Sequence, residues 1–264
     1  MKRNLKLAAN SVIVLACLIG LWKLIIVVFH VPPYMLPTPW RIVRTVATRI
    51  PDLSAALLVT IEEAAIGLIA AIVAGVAVAL IFARSPLIRQ LLFPYTILLQ
   101  TVPIMAVTPL IIMWMGPGLP SVTLVVFIFC LPVIIANTTQ GLISVDENLV
   151  QLFLMNNASQ LQILRKLRLP NALPNLYVGI RISSGLAVIG AITGELFAGS
   201  NNVGQGGLGY SIVYAMQQLQ TDYLFALVFT ATAVGFSIFF LVMFFEWLAL
   251  HKWHESAAAG RTDA

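Results

Sequence analysis

Between Leu58 and Phe82 the chain runs for 25 residues with only two ionisable side chains, Glu62 and Glu63. A helix rises about 1.5 Å per residue, so some 20 such residues cross a hydrocarbon core of about 30 Å. Comparable apolar runs recur at 7–29, 91–115, 121–143, 176–198 and 223–250. They are too long and too little alternating for barrel strands, which leaves helices as the only spanning form. The expectation is an all-α integral membrane protein: one transmembrane domain over 1–264 with six transmembrane helices. Composition agrees, with 9% charged residues and a mean hydropathy of +0.97, against roughly 25% charged in soluble domains.

The connectors are short or rich in proline. Residues 30–57 hold Pro32, Pro33, Pro37, Pro39 and Pro51 around an amphipathic piece, Trp40 to Ile50, which reads as an interfacial connector. Residues 83–90 and 116–120 are tight turns between antiparallel neighbours. Residues 199–222, rich in glycine, read as a loop, and 251–264 as a disordered tail. The first apolar run is longer than the core of a secretory signal, so it reads as an uncleaved span.

Basic residues orient the bundle. With six spans both termini share a side, and one set of connectors and ends carries ten basic residues (Lys2, Arg3, Lys6, Arg84, Arg89, Arg165, Lys166, Arg168, Lys252 and Arg261). The other carries three, Arg41, Arg44 and Arg49. The richer side is the cytoplasmic one, which places both termini in the cytoplasm of a multi-pass plasma-membrane protein. Arg181, one to two turns into the fifth span, is expected to snorkel to that side. The scatter of the basic residues argues against nucleic-acid binding.

No set of residues points to catalysis. Cys17 and Cys130 fall inside apolar runs, and His30, His251 and His254 lie at membrane edges with no cysteine or acid constellation, so neither a disulfide nor a metal site is expected. The glycine-rich Gly204 to Tyr210 lacks the Lys-Ser/Thr ending of a phosphate loop. Nothing resembles an acid, base and nucleophile set, so no catalytic group or cofactor is assigned.

Among intramembrane polar residues, Glu195 has three readings: a pathway or gate residue, a hydrogen-bond hub, or a group at the membrane boundary. Glu62 and Glu63 point about 100° apart, so at most one of them faces a pathway squarely, and boundary solvation is the favoured reading of the pair. Gln100 and Asn137 are candidates to line a route, or to tie helices together.

One interval is neither span nor short turn. Residues 144–174 carry acids, amides and a basic cluster together. Glu147 to Leu154 and Ala158 to Leu167 read as short helices with a corner at Met155-Asn156-Asn157, where asparagine tolerates positive φ. Pro170 and Pro174 are expected to end the second helix.

Here the chain resembles the membrane subunits of bacterial ATP-binding-cassette (ABC) importers, in the branch that includes nitrate, sulfonate, taurine, bicarbonate and thiamine-precursor permeases. The family's signature is Glu-Ala-Ala, three residues, Gly, nine residues, then Ile-x-Leu-Pro. Leu167-Arg168-Leu169-Pro170 matches its end, Asn157 stands at the glycine and Gln151-Leu152-Phe153 at Glu-Ala-Ala. Leu36-Pro37-Thr38-Pro39, Ser144-Val145-Asp146, Gly194-Glu195, Gly207-Leu208-Gly209-Tyr210 and Thr221-Asp222 extend the likeness over about 36–246.

The resemblance implies a type I importer (MetI-like) fold with a cytoplasmic coupling-helix loop. It implies an ATPase-docking set of Gln151, Phe153, Asn156, Asn157, Ala158, Ser159, Leu169 and Pro170, with Glu195, Gln100 and Asn137 for the path or gate. The implied partners are two ABC ATPase subunits that bind ATP and magnesium, an external solute-binding protein and a second permease copy, in a bacterial inner membrane with its lipid. The implied cargo is a small solute, an anion or a vitamin precursor. The rival from the residues alone is a stand-alone proton-coupled carrier with Glu195 as its titrating group.

Overall fold

The computed structural model describes residues 2–198 and 206–250, and every regular element in them is helical. The expected details of 199–205 and 251–264 lie outside the described residues. In order the helices are α1 (Lys2–Val28), α2 (Pro39–Thr48), α3 (Ile50–Arg84), α4 (Pro86–Thr101), α5 (Ile104–Met115), α6 (Leu119–Ile143), α7 (Glu147–Met155), α8 (Gln160–Ile163), α9 (Leu169–Ala198), α10 (Leu208–Gln217) and α11 (Thr221–Leu250). A π-helical turn, Leu164–Arg168, joins α8 to α9.

Among the described residues four helical stretches are long and apolar enough to cross a membrane: α3, α6, the continuous run Gln160–Ala198, and α11. The third expected span is not one rod. It is the pair α4 and α5, bent by 95° at Val102-Pro103. A residue before proline is pushed out of the helical region, and Val102 is extended at φ −66° and ψ 123°. With that pair counted as one broken span there are up to five candidate crossings among the described residues, and α1 adds the shorter apolar helix Ala16–Val28.

Three further boundaries differ from the sequence reading. α3 begins at Ile50 rather than near 58, because Pro51 sits in its first turn, where no backbone donor is needed. The stretch read as a glycine-rich loop contains α10. Pro170 and Pro174 do not end a helix, and the fifth span runs back without a break to Gln160. The wide π turn before them relieves the clash a proline ring makes with the carbonyl four residues back.

α6 is the central rod, with its main packing partners α9 and α3. Small residues permit the approach: a Cβ on Gly67 or Gly75 of α3 would collide with Val126 or Ile134 of α6. Lipid tails are as apolar as leucine, so close van der Waals fit of this kind holds membrane helices together. Val122, Val126, Cys130, Ala187 and Ala191 fill the seam with Ala64 and Ala71. A second core, around Leu208, Leu227, Ala226 and Ile42, seats α10 and α2 against α11.

Candidate functional site

Two constellations stand out, one at each end of α3. At the end formed by Arg84, residues 144–168 build a projecting helix, corner and helix. Asp146 starts α7, its Oδ1 accepting the Asn148 N–H at 2.8 Å. The corner is a Schellman motif: Ala158 N–H donates to Phe153 O at 3.0 Å and Asn157 N–H to Leu154 O at 2.9 Å, with Asn157 left-handed at φ +55°. The left-handed position thus falls on the residue that stands at the glycine of the signature. Ser159 then opens α8 with a capping box, accepting from Gln162 N–H while its own N–H donates to Gln162 Oε1 at 2.7 Å.

The projection is fixed at its base. Ile163 is buried, Arg168 Nη1 donates to Ala83 O at 2.8 Å in the last turn of α3, and Asn171 Nδ2 donates to Gly141 O at 3.1 Å in the last turn of α6. A cation on terminal helix carbonyls is favourable through both the bond and the dipole. Gln151, Asn156, Asn157 and Ser159 are exposed, with Phe153 and Ala158 half-buried, so they share the projecting surface with Leu152, Leu154 and Met155. Leu169 and Pro170 are placed elsewhere. They lie half-buried in the first turn of α9, and Leu169 packs on the core of Ala79, Ala83, Leu142 and Ala172. Leu169 thus sits at the base of the projection.

At the other end lies a buried polar cluster that joins three helices. Glu195 of α9 is 2% exposed. Its Oε1 accepts from the Thr60 hydroxyl of α3 at 2.6 Å, and its Oε2 accepts from the Gly209 N–H of α10 at 2.5 Å. Thr60 Oγ1 in turn accepts from Leu208 N–H at 2.8 Å. The first turn of a helix has four unpartnered N–H groups, and α9 and α3 here supply acceptors for two of those of α10. Gly207 and Gly209 are needed for the approach, since a Cβ on the first would enter the Glu195 carboxylate and on the second would meet Ile192 O. Glu63 is buried within hydrogen-bonding reach of Glu195, with its Oε2 unpartnered, whereas Glu62 is exposed. Boundary solvation therefore does not describe the buried Glu63.

The other polar candidates are not brought to this cluster. Asn137 bonds its own helix at Val133 O. Gln100 is exposed beside the α4–α5 break. Arg181 does not snorkel freely but lies 3.3 Å from Glu246 of α11. On the α2 face Arg41 pairs with Asp222 at 3.0 Å and Arg49 bonds Gln220 while lying over the Tyr223 ring.

Thr60 and α10 escape the sequence reading, which assigned Glu63 to the boundary. The signal for α10 was the spacing of Leu208, Ile212 and Ala215 on one helical face and the small residues that open it.

Comparison with known proteins adds an independent line. Residues 67–251 match the family described as binding-protein-dependent transport system inner membrane component. Over 244 residues, 92% of this chain and 96% of the other, the sequence is 30% identical to a Haemophilus influenzae protein named "Probable ABC transporter permease protein". It is 32% identical over 209 residues, 77% of this chain and 80% of the other, to the formylaminopyrimidine transport permease protein of Halalkalibacterium halodurans. With the taurine transport system permease protein of Escherichia coli it shares 26% over 233 residues, 86% of this chain and 83% of the other.

Proposed function

We infer the function from one premise: the chain belongs to the family of binding-protein-dependent transport system inner membrane components. It is a permease subunit of an ABC importer with the type I fold. The rival reading, a proton-coupled carrier working through Glu195, gives way to this one, and the Glu195 carboxylate is already held by Thr60 and Gly209.

The finer reading is ours. The projection of α7, its corner and α8 is the surface that docks into an ATPase subunit, on the cytoplasmic side of the plasma membrane, and the ATPase binds ATP and magnesium and hydrolyses it. The observation that carries this is the exposed, doubly capped corner at Asn156 to Ser159 on a base pinned to α3 and α6. Such a lever transmits a push from outside the bundle to two spanning helices.

A second copy of the chain covers the bent α4–α5 pair, where Gln100 lies some 14 residues, about 21 Å, into the crossing from Pro86. An exposed amide at that depth calls for a polar neighbour or a water-filled path. Gln100 and Asn137 then face the route, and Glu195 sets the position of α10 beside it. An external binding protein delivers a small solute to the α2 face. The named relatives carry formylaminopyrimidine and taurine, and a small anion or heterocyclic vitamin precursor suits this chain. Deleting Asn156 to Gln160 should abolish uptake and the stimulation of ATPase activity while the permease still inserts. Retention of both would refute the docking reading.

A further inference from the structure

We propose that the notch between the last turn of α3 and α8 is a binding site for an anionic glycerophospholipid. It is a cavity of about 620 Å³ whose walls include Leu80, Ile81, Arg84, Gln160, Leu161 and Arg168. One end is cationic. Arg84 is exposed and has no ion pair or hydrogen bond among the described residues. Arg168 donates to Ala83 O through one nitrogen, and a guanidinium carries five N–H donors in all. No acid lines the cavity. Of the acids of the neighbouring loop, Asp146 caps α7, and Glu147 lines the adjoining cavity, whose wall shares Ala83, Pro86 and Arg168 with this one.

The other end is apolar. Ile81 and Leu161 are each about half exposed, at 51% and 50%. Ile81 stands beside Leu80 on α3, which is long and apolar enough to cross the membrane, and Leu161 faces the same cavity from α8. Three and four residues separate Ile81 and Leu80 from Arg84, so the apolar wall lies one helical turn from the cationic end. A soluble anion or a partner's carboxylate would satisfy the arginines and leave that wall bare. A lipid phosphate on Arg84 and Arg168, with acyl chain against Leu80, Ile81 and Leu161, covers both ends. Basic pockets between helices at a membrane surface recognise anionic headgroups in this manner. The exposed Arg165 and Lys166 on the adjoining π turn add to the local field. The site rests on the docking reading only in assigning this end of α3 to the cytoplasmic leaflet, and the bound lipid would wedge the α8 arm against α3.

The test uses the full chain purified in mild detergent, with native mass spectrometry of retained lipid. The probes are phosphatidylglycerol, phosphatidylcholine of the same acyl chains, and inorganic phosphate. Phosphatidylglycerol should be retained over phosphatidylcholine, and Arg84→Gln should lower that preference about fivefold, the worth of one basic group at a membrane surface. Arg44→Gln, on the α2 face, should leave it unchanged. Arg168→Gln should also lower it, with a thermal melt recorded to separate lost lipid from a loosened loop. Equal retention of the two lipids, an Arg84→Gln chain that binds like the parent, or displacement by millimolar phosphate would each overturn the proposal. Sidedness is read separately, by labelling a Gln160→Cys chain in intact cells. Labelling from outside would refute the docking reading and leave the lipid measurement to stand on its own.

Discussion

The Thr60 hydroxyl and the Glu195 carboxylate, 135 residues apart in sequence, meet at 2.6 Å, and between them they accept the N–H groups of Leu208 and Gly209. The start of α10 is therefore capped by two side chains from two other helices. A buried acceptor removed from such a set leaves its donors unsatisfied, at about 1–3 kcal/mol each. Glu195→Ala should lower the melting temperature of the detergent-solubilised chain and raise the labelling rate of a cysteine placed at Tyr214 on α10. Glu195→Gln, which keeps one acceptor, should fall between. An unchanged melt for Glu195→Ala would refute the capping role.

Glu63 tests the same cluster from the other carboxyl. Two carboxyls share a hydrogen bond only with a proton between them, whereas an amide brings its own donor. Glu63→Gln should therefore preserve stability and uptake, while Glu63→Leu, which removes the contact with Glu195, should weaken both. Uptake and melting measured on the pair distinguish this from an obligatory carboxylate at position 63, which Glu63→Gln would also disable.

Much of this protein was legible beforehand. Long apolar runs force helices, and the positive φ at Asn157 follows from the tolerance of asparagine for the left-handed region. What escaped were features set by proline and glycine in context. Pro51 starts a helix, Pro103 bends one, and Pro170 sits inside one behind a π turn. A proline marks a boundary only when its position within the turn is known, and that position depends on neighbours the sequence does not display. Likewise Gly207 and Gly209 read as loop formers because glycine is permissive, whereas here they make room for Glu195 and Ile192. The partner of a buried acid 135 residues away has no local signal at all.

The corner between α7 and α8, which we propose docks into the ATPase, gives a prediction with two signs. Asn157 occupies φ +55°, where a residue with a β-carbon costs roughly 1–2 kcal/mol, asparagine less and glycine least. Asn157→Gly should retain coupling of ATP hydrolysis to uptake. Asn157→Val should loosen the corner and reduce coupling several-fold, read as the ratio of solute transported to ATP hydrolysed in proteoliposomes. Equal ratios for the two variants would mean that the corner's backbone geometry does not matter for coupling.

Arg181 and Glu246 tie α9 to α11 at 3.3 Å, with side chains 32% and 18% exposed in the isolated chain. A lone charge at the centre of a spanning helix costs about 2.5–3.5 kcal/mol, and truncating one partner of this partly exposed pair leaves the other uncompensated at up to that cost. Arg181→Met alone and Glu246→Leu alone should each destabilise the chain by an amount on that order. The double variant, with neither charge to desolvate, should recover most of the loss. The check is a double-mutant cycle on thermal melts in detergent. Strict additivity would show that the two residues do not interact, whereas recovery would mark the ion pair as the brace by which a push on the α8 arm, carried along α9, reaches the last helix.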